Sequence, residues 1–105
     1  MKIGQLLASV QTLQKLVEQP LHLRQAYQLS KIANKVNTEL GFFEMKRDQI
    51  LNSEGTDEEK TDKFNELLNF EVDWTIDPVV FKFDDDIKLS ASELDSCQGM
   101  IEIEE

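Results

Sequence analysis

The 105-residue chain contains one cysteine and one histidine, and this scarcity excludes several kinds of site. A single thiol, Cys97, cannot form an internal disulfide, which is typical of a protein in a reducing compartment. A zinc site needs several Cys, His or carboxylate ligands at set spacings, and His22 has no second histidine to join it. We therefore expect no disulfide and no metal, and we interpret His22 as a solvated or capping residue and Cys97 as buried.

Catalytic signatures are missing as well. The four glycines form no phosphate-binding loop, and no serine lies in a nucleophile elbow. Carboxylates are abundant, but acid–base catalysis needs two of them in different environments inside a pocket. We expect no catalytic residue, no cofactor and no enzymatic activity.

Long apolar runs are also absent. No stretch of eighteen apolar residues occurs, and the polar start Met1-Lys2-Ile3-Gly4-Gln5 does not resemble a signal peptide. The sequence therefore predicts neither a membrane span nor a secretion signal, and a cytoplasmic protein is expected.

Acidic residues dominate, and they are unevenly distributed. Residues 1–52 carry seven Lys and Arg against four acids, a net charge of +3, whereas residues 53–105 carry four Lys against seventeen acids, a net charge of −13. Such an acidic half repels nucleic-acid phosphates and speeds encounter with a basic protein surface. The alternative interpretation is that the charge serves solubility alone.

The helical part of the chain is organised around one long amphipathic helix, predicted over residues 20–51. Its apolar residues recur at steps of three and four, so they form one stripe: Leu29, Ile32, Val36, Leu40, Phe43 and Ile50. A shorter helix with the same spacing precedes Gln19-Pro20, and the tight connection predicts an antiparallel helical hairpin. Thr56 to Glu59 fits a capping box after Gly55 and predicts a third helix ending near Phe70.

Beyond Phe70 the apolar period changes to two. Val72, Trp74 and Ile76 alternate with polar residues, and after Asp77-Pro78 a second alternation follows at Val79, Phe81 and Phe83. We interpret these as two strands of a hairpin or bent ribbon. Ser90 to Glu93 predicts a short helix that ends near Gly99, and residues 100–103 predict a third strand or an ordered tail.

Together these patterns predict one domain of the α+β class, mostly α. Residues 1–70 would form an antiparallel three-helix core around the long helix, and residues 71–105 an acidic segment with a small β-hairpin and a short helix.

The arrangement resembles small uncharacterised proteins encoded by tailed bacteriophages. The resemblance lies in the runs Leu13–Leu16, Ala26–Lys31, Arg47–Leu51 and Glu66–Asn69, with Pro20-Leu21, Glu39-Leu40 and Glu71–Asp73 between and after them. It implies a helical hairpin, an acidic connector and a short β segment. It also implies a phage or prophage origin, and it transfers no functional residue.

Three functional classes follow. The first is a phage accessory protein that binds and inhibits or modulates a host protein, for example a defence protein, through its acidic half. Its candidate contact residues are Asp73, Trp74, Asp77, Phe81, Phe83, Asp84, Asp85 and Asp86. DNA mimicry is a variant of this class. The second class is a virion assembly protein that oligomerises through the long helix, and the third is a prefoldin-like chaperone or an antitoxin-like protein.

The partner expected for the first class is a host or phage protein with a basic surface. We expect no direct binding of nucleic acid or membrane, and homo-oligomers remain an alternative. A calcium loop needs ligands at alternating positions with a glycine at the sixth, and Asp84-Asp85-Asp86 lacks that pattern. We interpret it as a solvated charge cluster that protects a strand edge.

Overall fold

The computed structural model describes residues 1–104, which form four helices and two strands. In chain order these are α1 (Ile3–Val17), α2 (Leu23–Leu51), α3 (Asp57–Leu68), β1 (Val79–Lys82), α4 (Ala91–Ser96) and β2 (Ile101–Glu104). The fold is mostly helical with a small sheet, as the sequence predicts. No helix within residues 1–104 combines the length and the apolar character needed to cross a membrane.

Helices α1 and α2 form the predicted antiparallel helical hairpin. Val10 and Asn37 line one depression between the two helices, and Val17 and Leu29 line another nearer the closed end. The α1 boundaries agree with the sequence pattern, but α2 begins at Leu23, three residues later than predicted. His22 is extended and its N–H donates to Gln25 Oε1 at 3.2 Å, so the helix starts after His22 and Pro20 stays in the connection.

Helix α3 covers one end of the hairpin. Thr56 accepts a hydrogen bond from the Glu59 N–H at 3.2 Å, which confirms the predicted start, and Gly55 reaches a φ of +150° that favours glycine. The Phe64 ring packs edge-on against Phe43 of α2 at 5.9 Å between centroids. A three-helix core therefore exists only at this end, because α3 is much shorter than α2.

Residues 70–78 form no strand, so the first predicted strand is absent from the structure. Val72 N–H donates to Met1 O at 2.8 Å and Lys2 forms an isolated bridge with Glu71, after which no ladder continues. Burial still alternates, with Val72 buried and Trp74 and Ile76 half-buried between exposed neighbours. The period of two thus predicted the buried side of this segment correctly and its pairing wrongly.

The sheet is parallel, and the predicted β-hairpin is wrong. β1 pairs with β2 in the register Val79↔Ile101 to Lys82↔Glu104, and residues 83–100 make the crossover with α4 between them. Parallel strands need such a long connection, so β1 could not pair this way with the segment just before Pro78. Ser90 and Glu93 form the predicted capping box at the start of α4.

Beyond α3, the acidic half lies along one side of the helical hairpin. β1 packs against α2 and α4 packs against α1, while α3 packs against both helices of the hairpin. One continuous core results, and it joins residues of α1, α2, α3 and β1 with three residues of the connecting segments, Val72, Cys97 and Met100: Ile3, Leu6, Leu13, Leu16, Leu29, Ile32, Val36, Phe43, Leu67, Val72, Val79, Phe81, Cys97 and Met100. The molecule measures 53 × 23 × 22 Å, and α2 alone, at about 1.5 Å per residue, spans most of its length.

Candidate partner-binding surface

The acidic residues of the C-terminal half fall into two groups. Of the sixteen that the structure describes between residues 53 and 104, fourteen are exposed. The other two, Asp85 and Glu93, are half-buried and hydrogen-bonded. Solvent-facing carboxylates can meet a partner, whereas the two half-buried ones bond to helices of the hairpin, Asp85 to Gln25 of α2 and Glu93 to Lys15 of α1.

The predicted contact residues separate in the same way. Asp73, Asp77, Asp84 and Asp86 are exposed and make no side-chain hydrogen bond in the described part of the chain, and Phe83 is 72% exposed. Trp74 is half-buried, with its indole N–H turned inward. Asp84 and Asp86 lie with Phe83 in the turn after β1, near His22 at the closed end of the hairpin. Asp73 follows Val72, whose N–H donates to Met1 O near the start of α1, so the predicted contact residues do not form one patch.

Phe81 is a correction to the predicted surface. It is 1% exposed and belongs to the core, so it cannot serve as an anchor for a partner. Phe81 and Phe83 would face the same side of one continuous strand. Because β1 ends at Lys82, Phe83 lies in the turn that follows and is exposed.

Asp85 is a structural residue and not a free contact residue. Its Oδ2 accepts hydrogen bonds from the Lys82 N–H at 2.8 Å and from Gln25 Nε2 at 2.9 Å, and Oδ1 lies 3.7 Å from His22 Nε2. The backbone bond from Lys82, the bond from Gln25 and the nearby charges hold the pKa of the Asp85 carboxyl below its ordinary value. Asp85 thus ties the end of β1 to the start of α2.

Replacing Asp85 by asparagine is expected to make stability less dependent on acid. A carboxyl whose pKa is lower in the folded state stabilises that state above its ordinary pKa of about 3.9, and this contribution is lost as the pH falls below that value. The difference in unfolding free energy between wild type and Asp85→Asn should therefore be present at neutral pH and shrink in acid. Urea unfolding at several pH values measures it.

The matched control is Asp84→Asn, which removes a neighbouring exposed carboxylate without a hydrogen bond. It should follow the wild-type pH dependence. Equal behaviour of the two variants would contradict the structural role of Asp85.

Glu93 makes the second tie, which sequence reasoning recognised only as a cap. Its Oε1 accepts from the Ser90 N–H at 2.9 Å and from Lys15 Nζ of α1 at 3.1 Å, and these bonds lower the pKa of its carboxyl. The capping box of Ser90 and Glu93 could be predicted from the sequence. The contact of Glu93 with Lys15, 78 positions away, could not.

An apolar depression of about 160 Å³ adjoins the acidic surface. Its apolar lining includes exposed Phe83 and buried Phe81, and sequence reasoning did not assign the other apolar members to a contact surface: Ile87, Leu89, Leu94 and Ile103. Ile103 is 40% exposed and Leu94 36% exposed. Exposed apolar area ringed by charge is typical of a surface that contacts another macromolecule.

Cys97 is buried, as predicted. Its Sγ lies 4.0 Å from Ser9 O and 3.9 Å from Ser96 Oγ, which in turn lies 3.1 Å from Thr12 Oγ1. Burial raises the pKa of the Cys97 thiol. This cluster joins α4 to α1 and offers no activated nucleophile.

No metal-binding group is evident within residues 1–104: the structure brings together no set of three or more His, Cys, Asp or Glu side chains suited to hold an ion. Asp84, Asp85 and Asp86 are adjacent in sequence, but Asp85 turns toward Lys82 while its neighbours stay exposed. Asp84 to Asp86 therefore contribute charge to the surface.

Comparisons of the chain with protein-family models, curated proteins and solved structures found no match.

Proposed function

We propose that this chain is a non-enzymatic, phage-encoded accessory protein that binds a basic host protein and inhibits or modulates it. The observation that carries the proposal is the separation of charge: residues 53–105 hold a net charge of −13 against +3 for residues 1–52. The resemblance to tailed-bacteriophage proteins supports a phage origin. A host defence protein is an example of such a target.

Two of the exposed acids, Asp84 and Asp86, support a partner-binding role because they lie in the chain segment that lines an apolar depression. Carboxylates at a rim steer the encounter with a basic surface, while buried apolar contacts at the centre of an interface supply most of the affinity. Phe83 and Asp85, the sequence neighbours of Asp84 and Asp86, line the depression together with Lys82. Charge meant for solubility alone needs no such apolar neighbour.

The assembly alternative depends on an uncovered apolar stripe along α2. The structure buries Leu29, Ile32, Val36 and Phe43 of that stripe within the single chain. This arrangement favours a chain that acts through its acidic side over one that oligomerises through α2.

A pull-down from a bacterial host lysate tests the proposal. The tagged wild type should capture a protein with a basic surface at low ionic strength and lose much of it as salt rises, because screening at about 0.15 M limits charge steering to roughly 8 Å. Neutralising Asp73, Asp77, Asp84 and Asp86 to asparagine should slow association about tenfold or more, since the steering charges are gone.

The matched control neutralises four exposed acids elsewhere in the acidic half: Glu54, Glu58, Asp62 and Glu66. It changes the net charge equally but at α3 and the connection before it. Capture that falls equally with both sets would point to nonspecific charge attraction. Failure to capture any protein, or a captured protein whose activity the chain leaves unchanged, would overturn the proposed function. A DNA mimic would instead compete with DNA for its partner.

A further inference from the structure

The two strands of the sheet differ in how their outer edges are protected. On the outer edge of β1, Val80 O accepts a hydrogen bond from Gln25 Nε2 at 3.1 Å, and the Lys82 N–H donates to Asp85 Oδ2 at 2.8 Å. Side chains therefore occupy the edge groups that another strand would need. β1 is closed to further pairing.

The outer edge of β2 is open at Ile103. The Val79 N–H donates to Met100 O at 2.9 Å, and Val79 lies opposite Ile101 in the parallel register. Because successive residues direct their peptide groups to opposite edges, Glu102 and Glu104 bond to β1, while Ile103 directs its N–H and C=O away from β1. Within residues 1–104, β2 has a strand neighbour on one side only.

The apolar depression lies on the same face as the Ile103 side chain. In a parallel pair, residues opposite each other share a face, so Ile103 faces the same side as Phe81. Both line the depression together with Phe83 and Leu94. A strand added beside β2 would place every second side chain on this apolar side.

The other face of β2 carries Glu102 and Glu104, both exposed, and Lys82 of β1 lies opposite Glu104 on this face. A second copy paired antiparallel about Ile103 would put Glu102 of each chain opposite Glu104 of the other. Like charges directly opposite are destabilising, so this edge disfavours a symmetric dimer. Lys or Arg at the corresponding positions of a partner would instead pair with these carboxylates.

We propose that the outer edge of β2 binds an extended segment of a partner protein in which basic and apolar residues alternate. The segment adds a third strand at Ile103, places its apolar side chains over the depression of Phe83, Leu94 and Ile103, and places its basic side chains against Glu102 and Glu104. The inference rests on the proposed function and names the recognition mode of the basic partner.

A synthetic peptide tests this without knowledge of the natural partner. The probe is the acetylated and amidated heptapeptide Lys-Val-Lys-Val-Lys-Val-Lys, titrated into the full chain and followed by calorimetry or fluorescence anisotropy. We expect saturable binding that the block sequence with four lysines followed by three valines, equal in composition, does not reproduce. Equal binding of the two peptides would overturn the proposal, since charge alone would explain it.

Backbone methylation of the peptide tests strand pairing directly. With the valines over the depression, an antiparallel strand bonds to Ile103 through a valine N–H, and a parallel strand through a lysine N–H. Methylation of the valine nitrogens or of the lysine nitrogens, but not both, should therefore abolish binding. Binding that survives both patterns would exclude an added strand.

Variants of the chain provide the complementary test. Ile103→Pro removes the free N–H without removing a bond to β1, and loss of about one or two hydrogen bonds should weaken peptide binding about tenfold or more. Ile103→Val keeps the N–H and should bind within about twofold of wild type. Circular dichroism shows whether each variant is folded.

Two serine variants test the site independently of Ile103→Pro, in case the proline variant does not fold. Phe83→Ser removes an exposed wall of the depression and should weaken binding, whereas Leu23→Ser, at an 86% exposed position on α2, should not. If Phe83→Ser and Leu23→Ser weakened peptide binding equally, the proposed binding site at the depression would be wrong. If the lysate partner persists with Ile103→Pro and is lost with the acidic-to-Asn variant, the edge-strand proposal fails and the proposed function stands.

Discussion

Phe81→Ala is expected to lower the unfolding free energy by about 3–5 kcal/mol, because it empties a buried aromatic site. Phe81 is 1% exposed and joins β1 to the core between the hairpin and the acidic half. Such a loss is a large part of the roughly 5–15 kcal/mol that holds a domain of this size together. Urea unfolding followed by circular dichroism measures it.

Phe83→Ala is the matched control, two residues away. Phe83 is 72% exposed, so its removal should change the unfolding free energy by about 0.5 kcal/mol or less. A stability loss at Phe83 equal to that at Phe81 would mean that Phe83 is packed in the core, and it would remove the exposed aromatic from the candidate surface.

Ile32→Ala is expected to lower the unfolding free energy by about 2–5 kcal/mol. Ile32 is fully buried in the α2 stripe, which the chain's own elements cover. If the stripe were completed by a second copy, the unfolding midpoint would rise with protein concentration. For a monomer, the unfolding midpoint does not depend on protein concentration. We therefore expect a constant midpoint between about 2 and 200 μM protein.

Leu23→Ala is the control for this variant because Leu23 lies on the same helix and is 86% exposed. It should leave the unfolding free energy nearly unchanged. A midpoint that rises with concentration, together with a large effect at Leu23, would support the oligomeric assembly protein in place of a monomeric binding protein.

The helices could be predicted because their signals are local. The apolar spacing in α1 and the cap at Thr56 each involve residues within a few turns of one another, and both agree with the structure. The start of α2 was misplaced because proline is compatible with a first helical turn as well as with the connection before it. The extended backbone of His22, with a ψ of 149°, places Pro20 in the connection.

The sheet could not be predicted because its signals are distant. β1 and β2 are separated by residues 83–100, and alternation in a sequence does not say which strand pairs with which. Residues 72–77 alternate as clearly as β1 does, yet they find no neighbouring strand. The sequence pattern therefore did not distinguish pairing of β1 with residues 72–77 from pairing with β2, and the hairpin prediction was wrong.

The candidate surface was predicted in part for a similar reason. Charge segregation is visible in composition, so the exposed aspartates were found. Which residue of Asp84-Asp85-Asp86 turns back to the Lys82 N–H depends on where β1 ends, and the contribution of Leu94 and Ile103 depends on the parallel register. Those facts require the fold.

We propose that the acidic half presents a specific surface around β2 and not a diffuse charge. Amide chemical-shift mapping on ¹⁵N-labelled chain, during titration with the alternating lysine–valine peptide, distinguishes these two possibilities. We predict the largest changes at Ile103, Glu104, Phe83 and Leu94, with α3 unaffected. Changes of equal size at the exposed acids of α3, such as Glu58 and Asp62, would contradict the claim.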